Sequence, residues 1–160
     1  MAASGGASTT AVGTICILSR FPGRGSVGDP HPVGGGFLDD RLSDMPLYAW
    51  ETIPLEELNP LLARKVIHGA QTTVAQIFLR AGAVVPEHQH RHEQTTMLQS
   101  GRIVFFMEGS EVTLAAGSVL NIPPHVPHKV VAIEDSVAID VFSPTREDWQ
   151  RGDDAYLRQA

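Results

Sequence analysis

One cysteine, Cys16, in 160 residues leaves the chain without an internal disulfide and without enough thiolates for a metal cage of its own. That scarcity favours a reducing, cytoplasmic setting. Basic residues are few as well: 12 Lys and Arg face 18 Asp and Glu, giving a net charge of −6, and Arg64-Lys65 is the one adjacent basic pair. A polyanion-binding surface is therefore not expected, and with it no nucleic-acid partner. No apolar run approaches the roughly 18 residues of a membrane helix. The nearest thing to an export signal, AVGTICIL at 11–18, is short, is broken by Gly13 and has no Lys or Arg before it. What remains is a chain with 42% hydrophobic and 19% charged residues, which can bury a core and whose length suits one domain.

Its texture changes along the length. Nine of the 15 glycines fall within the first 44 residues, with Pro22, Pro30 and Pro32, so residues 1–45 read as a flexible or irregular N-terminal extension. Cys16 sits there without a role. From residue 46 the apolar residues come in short β-rich runs: Thr72–Arg80, Thr95–Gln99, Ile103–Met107, Val112–Leu114, Val119–Ile122, Lys129–Ile133 and Val137–Phe142. Turn pairs such as Ser100-Gly101, Ala116-Gly117 and Pro123-Pro124 separate them. Even spacing of short strands predicts an all-β sandwich or small barrel over 46–149, with 150–160 as a C-terminal tail. Helix is a minor component: a turn within Pro54–Lys65, and a short helix opened by Ser143-Pro144 as N-cap and first residue.

Five of the seven histidines lie between 88 and 128. On an extended strand His88 and His90 point to one face, and Gln94 keeps their parity if the strand continues. His128 follows the proline-rich turn Pro123-Pro124-His125-Val126-Pro127, which constrains where the next strand starts. Three imidazoles and an amide oxygen form a donor set for a first-row divalent metal with one or two positions left open. Affinity trends admit nickel, manganese, iron, cobalt or zinc. His92 reads as a supporting or structural group, and His31, His68 and His125 as solvated or structural. On the run Ala138-Ile139-Asp140-Val141-Phe142, Asp140 shares its strand face with Ala138 and Phe142. A carboxylate there is costly unless paired or functional, so it is either a general acid–base or half of an ion pair with Arg146 or Arg80. Arg146 offers a planar fork for a carboxylate, unless it is a solvated arginine beside Glu147 and Asp148. Val131, Ile133, Val137, Ile139 and Val141 form an apolar outer face to be covered by a second sheet or a second subunit, hence an expected homodimer.

The stretch GAVVPEHQHRHEQTTMLQSG, Gly82–Gly101, resembles the first cupin motif at every spacing, with Gln94 where a glutamate is usual. GSVLNIPPHVPH, Gly117–His128, resembles the second, with His125 in place of a frequent glycine, and 15 residues, Arg102–Ala116, separate the two. The run EDSVAIDVFSPTREDW, Glu134–Trp149, together with His92-Glu93-Gln94, resembles the KdgF-type cupins of pectin and alginate breakdown. The resemblance implies a cupin jelly roll, or double-stranded β-helix, with metal ligands His88, His90, Gln94 and His128. It implies Asp140, Phe142 and Arg146 as the catalytic group, and a metal-dependent isomerase or lyase-type enzyme that opens the ring of 4,5-unsaturated monouronates, a carboxylated sugar being the small-molecule substrate. Two other readings stay open: another metal-dependent activity, such as a hydroxynitrile lyase or a dioxygenase, and a non-catalytic small-molecule-binding cupin.

Overall fold

The computed structural model describes residues 45–158. Alternation of side chains builds its strands. In Arg102–Met107, Ile103 and Phe105 turn inward and are almost wholly buried, while the residues between them remain partly in contact with solvent. The strands are β1 (Glu56–Asn59), β2 (Leu62–His68), β3 (Thr73–Leu79), β4 (Val84–His88) and β5 (Glu93–Ser100). β6 (Arg102–Met107), β7 (Ser110–Ala115), β8 (Val119–Ile122), β9 (His128–Ala132) and β10 (Ser136–Ser143) follow. They pair antiparallel in two sheets, a six-stranded one in the order β1-β2-β3-β10-β5-β8 and a four-stranded one in the order β4-β9-β6-β7. The architecture is an all-β jelly roll. Leu98, Ile122, Ala138 and Phe142 from the first sheet and Ile103, Phe105, Leu114 and Val130 from the second meet in one core.

Two local expectations give way. The stretch Pro54–Lys65 holds no helical turn: it forms β1 and the start of β2, with Asn59-Pro60-Leu61 at the turn between them. The helix α1 (Glu147–Arg151) begins well after Ser143-Pro144, because Ser143 is the last residue of β10, paired with Glu93. After α1 the chain folds back through a 3₁₀ turn, Ala155–Arg158, and buries Leu157 with Trp149 in the core. Asn59 Nδ2 donates to the Leu157 carbonyl at 2.9 Å, and Arg64 pairs with Asp154, tying this segment to β1 and β2. No helix among the described residues is long and apolar enough to cross a membrane. The expectations for residues 1–44, including Cys16 and His31, lie outside the described residues.

Candidate metal centre

Antiparallel register puts the first two histidines together. His88 closes β4 and His128 opens β9, and the two are direct cross-strand partners with ring centroids 4.3 Å apart. His90 lies beyond β4, in the link to β5, with its ring 5.7 Å from that of His88 and 5.2 Å from that of His128. The link is held from below by the His125 N–H, which donates to the His90 carbonyl at 2.8 Å from a residue with φ of 65°. Strand parity does not carry His88 through to Gln94, because the chain bends at Arg91-His92 before starting β5. Gln94 reaches the same place from the other sheet, opposite Phe142 on β10 and Ile122 on β8.

The protonation pattern tests whether these groups suit a cation. Each Nδ1 lies against a backbone carbonyl: His88 on Pro86 at 2.9 Å, His90 on His92 at 2.9 Å, His128 on Val126 at 2.8 Å. A carbonyl only accepts, so each Nδ1 carries the proton and each Nε2 presents a bare lone pair. Burial holds the rings neutral, pushing His88 down to about 3, with further lowering from His128. Burial followed by the nearby Arg146 charge pushes His90 down to about 4, and burial lowers His128 as well. Nε2 of His128 is fully shielded and meets no partner among the described residues. Nε2 of His90 lies 3.1 Å from Gln94 Oε1, so in this tautomer two acceptors face each other. The three histidines bring ligand atoms within 4.8 Å of one another. Converging lone pairs with no proton between them fit a divalent cation, and the neutral N/O donor set matches a first-row transition metal.

Gln94 owes its orientation to Thr96. Its Nε2 donates to Thr96 Oγ1 at 2.9 Å, which turns Oε1 toward the histidines, and Thr96 Oγ1 donates to Asp140 Oδ1 at 2.7 Å. Asp140 lies on β10 beside Thr96 in register, on the cavity-facing side with Ala138 and Phe142. Withdrawal from water pushes its carboxyl up to about 6, against the lowering pull of the Thr96 hydroxyl and the Arg146 charge. The ion pairs considered for it do not form: Arg80 pairs with Asp135 and Arg146 with Asp148.

Arg146 is not a solvated arginine. It is 1% exposed, its guanidinium carbon 4.8 Å from the Phe142 ring centre and 4.2 Å from that of Trp149. Nε and Nη2 grip the Asp148 carboxylate, and Nη2 also reaches the Tyr156 hydroxyl at 3.2 Å, while Nη1 makes no hydrogen bond among the described residues. Phe142 is buried with its ring edge-on to His90, 5.6 Å between centres. His92 is buried too, but its Nε2 turns away to Glu147 at 3.3 Å. Glu147 is held down at about 2, chiefly by Arg91 and with help from its own backbone N–H and His92.

His88, Gln94, His128, Asp140, Phe142 and Arg146 line one cavity inside the barrel. Sequence reasoning passed over four more residues of that lining: Arg64, Thr96, Trp149 and Tyr156, whose ring stacks on His88 at 4.6 Å. Thr96 was within reach, two residues after Gln94 and so on the same strand face. The others come from distant segments that only the fold brings in.

The segment 76–142 matches the family described as Cupin domain. An RmlC-like cupin from Shewanella frigidimarina NCIMB 400 is 30% identical, with a TM-score of 0.61 over 64% of this chain and 93% of its own. The structure of KdgF from Halomonas sp. is also 30% identical, with a TM-score of 0.62 over 65% of this chain and 99% of its own. An oxalate decarboxylase, 14% identical, has a TM-score of 0.56 over 61% of this chain and 29% of its own, a likeness of fold. No curated protein sequence matches.

Proposed function

The chain belongs to the cupin family, and from that premise we propose that it is a metal-dependent enzyme that opens the ring of 4,5-unsaturated monouronates, as its likeness to KdgF suggests. The observation that carries the reading is Asp140, a carboxyl poised at about 6 on the wall of the same cavity as His88, Gln94 and His128, three of the four donors. Ring opening of such a sugar is an isomerisation. The anomeric hydroxyl loses its proton and becomes an aldehyde carbonyl as the bond between the anomeric carbon and the ring oxygen breaks, and the released enolate gains a proton on carbon to become a ketone. No atom is gained or lost, so one group that takes a proton and returns it suffices. A carboxyl with a pKa near neutrality does both.

The remaining residues would serve that transfer. His88, His90, Gln94 and His128 would hold the metal, which supplies Lewis-acid polarisation of a substrate oxygen when bound. All four donors are neutral, so the ion's full charge is available for that purpose. Arg146, kept cationic by Asp148, would meet the substrate carboxylate through Nη1, and Phe142 would wall the cavity behind His90. Metal-loaded protein added to a fresh uronate lyase product should speed the decay of the ring chromophore above its spontaneous rate. An unchanged rate with metal bound would reject the proposal.

A homodimer belongs to the same reading. The five residues do not form the single outer face expected: Val137, Ile139 and Val141, half-buried, lie on β10 in the six-stranded sheet, whereas Val131 lies on β9 in the four-stranded sheet and Ile133, 51% exposed, follows it. A second copy would cover the β10 patch. Light scattering that returns a monomer mass across the micromolar range would argue against it.

A further inference from the structure

Arg64, on β2, points into the barrel and is 3% exposed. Its Nε donates to Glu56 at 2.7 Å and its Nη2 to Asp154, but Nη1 is fully shielded and has no partner among the described residues. Trp149, on α1, shows the same pattern: 8% exposed, with a shielded indole Nε1 that meets no acceptor. Both residues line the cavity that holds Asp140, His88 and His128, and the Arg64 guanidinium carbon lies 4.3 Å from the centre of the Trp149 ring. Arg146 lies at 4.2 Å from that ring. Two arginines and a tryptophan thus form one layer of the cavity wall. Buried donors are almost always satisfied, so two left open on stacked side chains of one cavity wall mark the place of an acceptor.

We propose that Arg64 Nη1 and Trp149 Nε1 complete a carboxylate-binding subsite with Arg146, and that this subsite selects an anionic small molecule over its neutral counterpart. The local charges balance, which leaves no surplus for a dianion. Arg64 and Arg158 are balanced locally by Glu56 and Asp154, and Arg146 by Asp148, so the layer offers directed N–H groups without a large excess of positive charge. A carboxylate, with two oxygens and a single charge, fits that better than a phosphate dianion. The subsite deepens the ring-opening proposal and rests on it only in taking the carboxylate to be that of a uronate.

The test uses the zinc-loaded full-length chain with ¹⁵N-labelled indoles. The sequence has two tryptophans, Trp50 and Trp149, and Trp50→Phe assigns their signals. Galacturonate, a stable saturated uronate, should shift the Trp149 indole N–H signal downfield, and galactose should leave it in place. Calorimetry should show galacturonate binding weakened about tenfold by Trp149→Phe, which keeps a ring for both arginines, and by Arg64→Lys, which keeps the charge but not the fork. Galactose binding should not change. The subsite is overturned if galacturonate does not bind, binds without moving the Trp149 signal, or binds both variants as tightly as the wild type. Turnover of the unsaturated uronate is measured separately. A Trp149 shift without turnover would reject the ring-opening reaction and keep the subsite; turnover with an unmoved Trp149 signal would do the reverse.

Discussion

Thr96 and Asp140 are cross-strand partners in the pairing of β5 with β10, and the threonine hydroxyl donates to the carboxylate at 2.7 Å while accepting from Gln94 at 2.9 Å. One hydroxyl thus fixes the direction of the Gln94 amide and stabilises the ionised form of Asp140. Thr96→Val keeps the shape of the side chain and removes both bonds. The amide is then free to rotate its nitrogen toward the histidines, where it cannot ligate. Metal affinity in competition with a chelator should fall about tenfold or more, the usual effect of losing a partner that orients a ligand. A variant that holds metal as tightly as the wild type would show that Gln94 is positioned by something else or does not ligate.

Asp140→Asn separates proton transfer from metal binding. The change removes the titrating group and adds no bulk. Turnover of the unsaturated uronate should drop by at least about a hundredfold, within the usual range for a lost acid–base group, while metal content by elemental analysis stays at the wild-type level. Turnover within a few fold of the wild type would remove Asp140 from the mechanism. Loss of metal along with activity would instead assign it to upkeep of the site.

Much of this site was legible because its chemistry is written in local spacing. His88, His90 and Gln94 lie within seven residues, and the proline-rich turn before His128 announces where β9 begins. The reason Gln94 joins them was not legible. The chain leaves one sheet after His88 and enters the other at Glu93, so strand parity arrives at Gln94 through a geometry that does not exist. Arg64 shows why the start of β2 fell within a stretch, Pro54–Lys65, expected to hold a helical turn. Its side chain occupies an inward position between Leu62 and Val66, and a charged residue there breaks the apolar alternation by which a strand is recognised. Only its distant partners, Glu56 and Asp154, make that position tolerable.

The neutral histidines make the metal-free protein acid-sensitive. An unfolded histidine takes a proton near 6.5, whereas His88 and His90 resist it down to about 3 and about 4, and His128 is lowered too. Below 6.5 the unfolded chain therefore binds more protons than the folded one. Stability is complete above about 6.5 and declines as the pH falls toward the folded values. Chelator-treated protein should lose Tm steadily from pH 6.5 to pH 4.5, and added metal, which binds only the neutral rings, should restore Tm and move the onset of loss to lower pH. A Tm of the stripped protein that is flat over this range, or is indifferent to metal, would contradict the neutral state of the rings on which the site rests.

Gly101 governs the corner where the chain crosses from β5 in one sheet to β6 in the other, beside the corner where β9 gives way to β10. Its φ is 82°, a conformation L side chains rarely adopt, and a Cβ placed on it would lie 2.2 Å from Ser136 Oγ and 2.4 Å from the Asp135 carbonyl. The two corners are also bonded: the Arg102 N–H donates to Ser136 Oγ at 3.0 Å, and that hydroxyl donates to the Glu134 carbonyl at 2.7 Å. Ser136 could rotate away from an added methyl group, but the Asp135 carbonyl is backbone and cannot, so relief requires the corners to part. β10 begins at Ser136 and carries Asp140 two repeats of the pleat further on, so the disturbance reaches the cavity. Gly101→Ala combines positive-φ strain with overpacking, each of about 1–3 kcal/mol. Urea unfolding should show a loss of about 2–5 kcal/mol, and metal affinity should weaken with it. A loss below about 1 kcal/mol would mean that the two crossings are not packed as tightly as the structure has them.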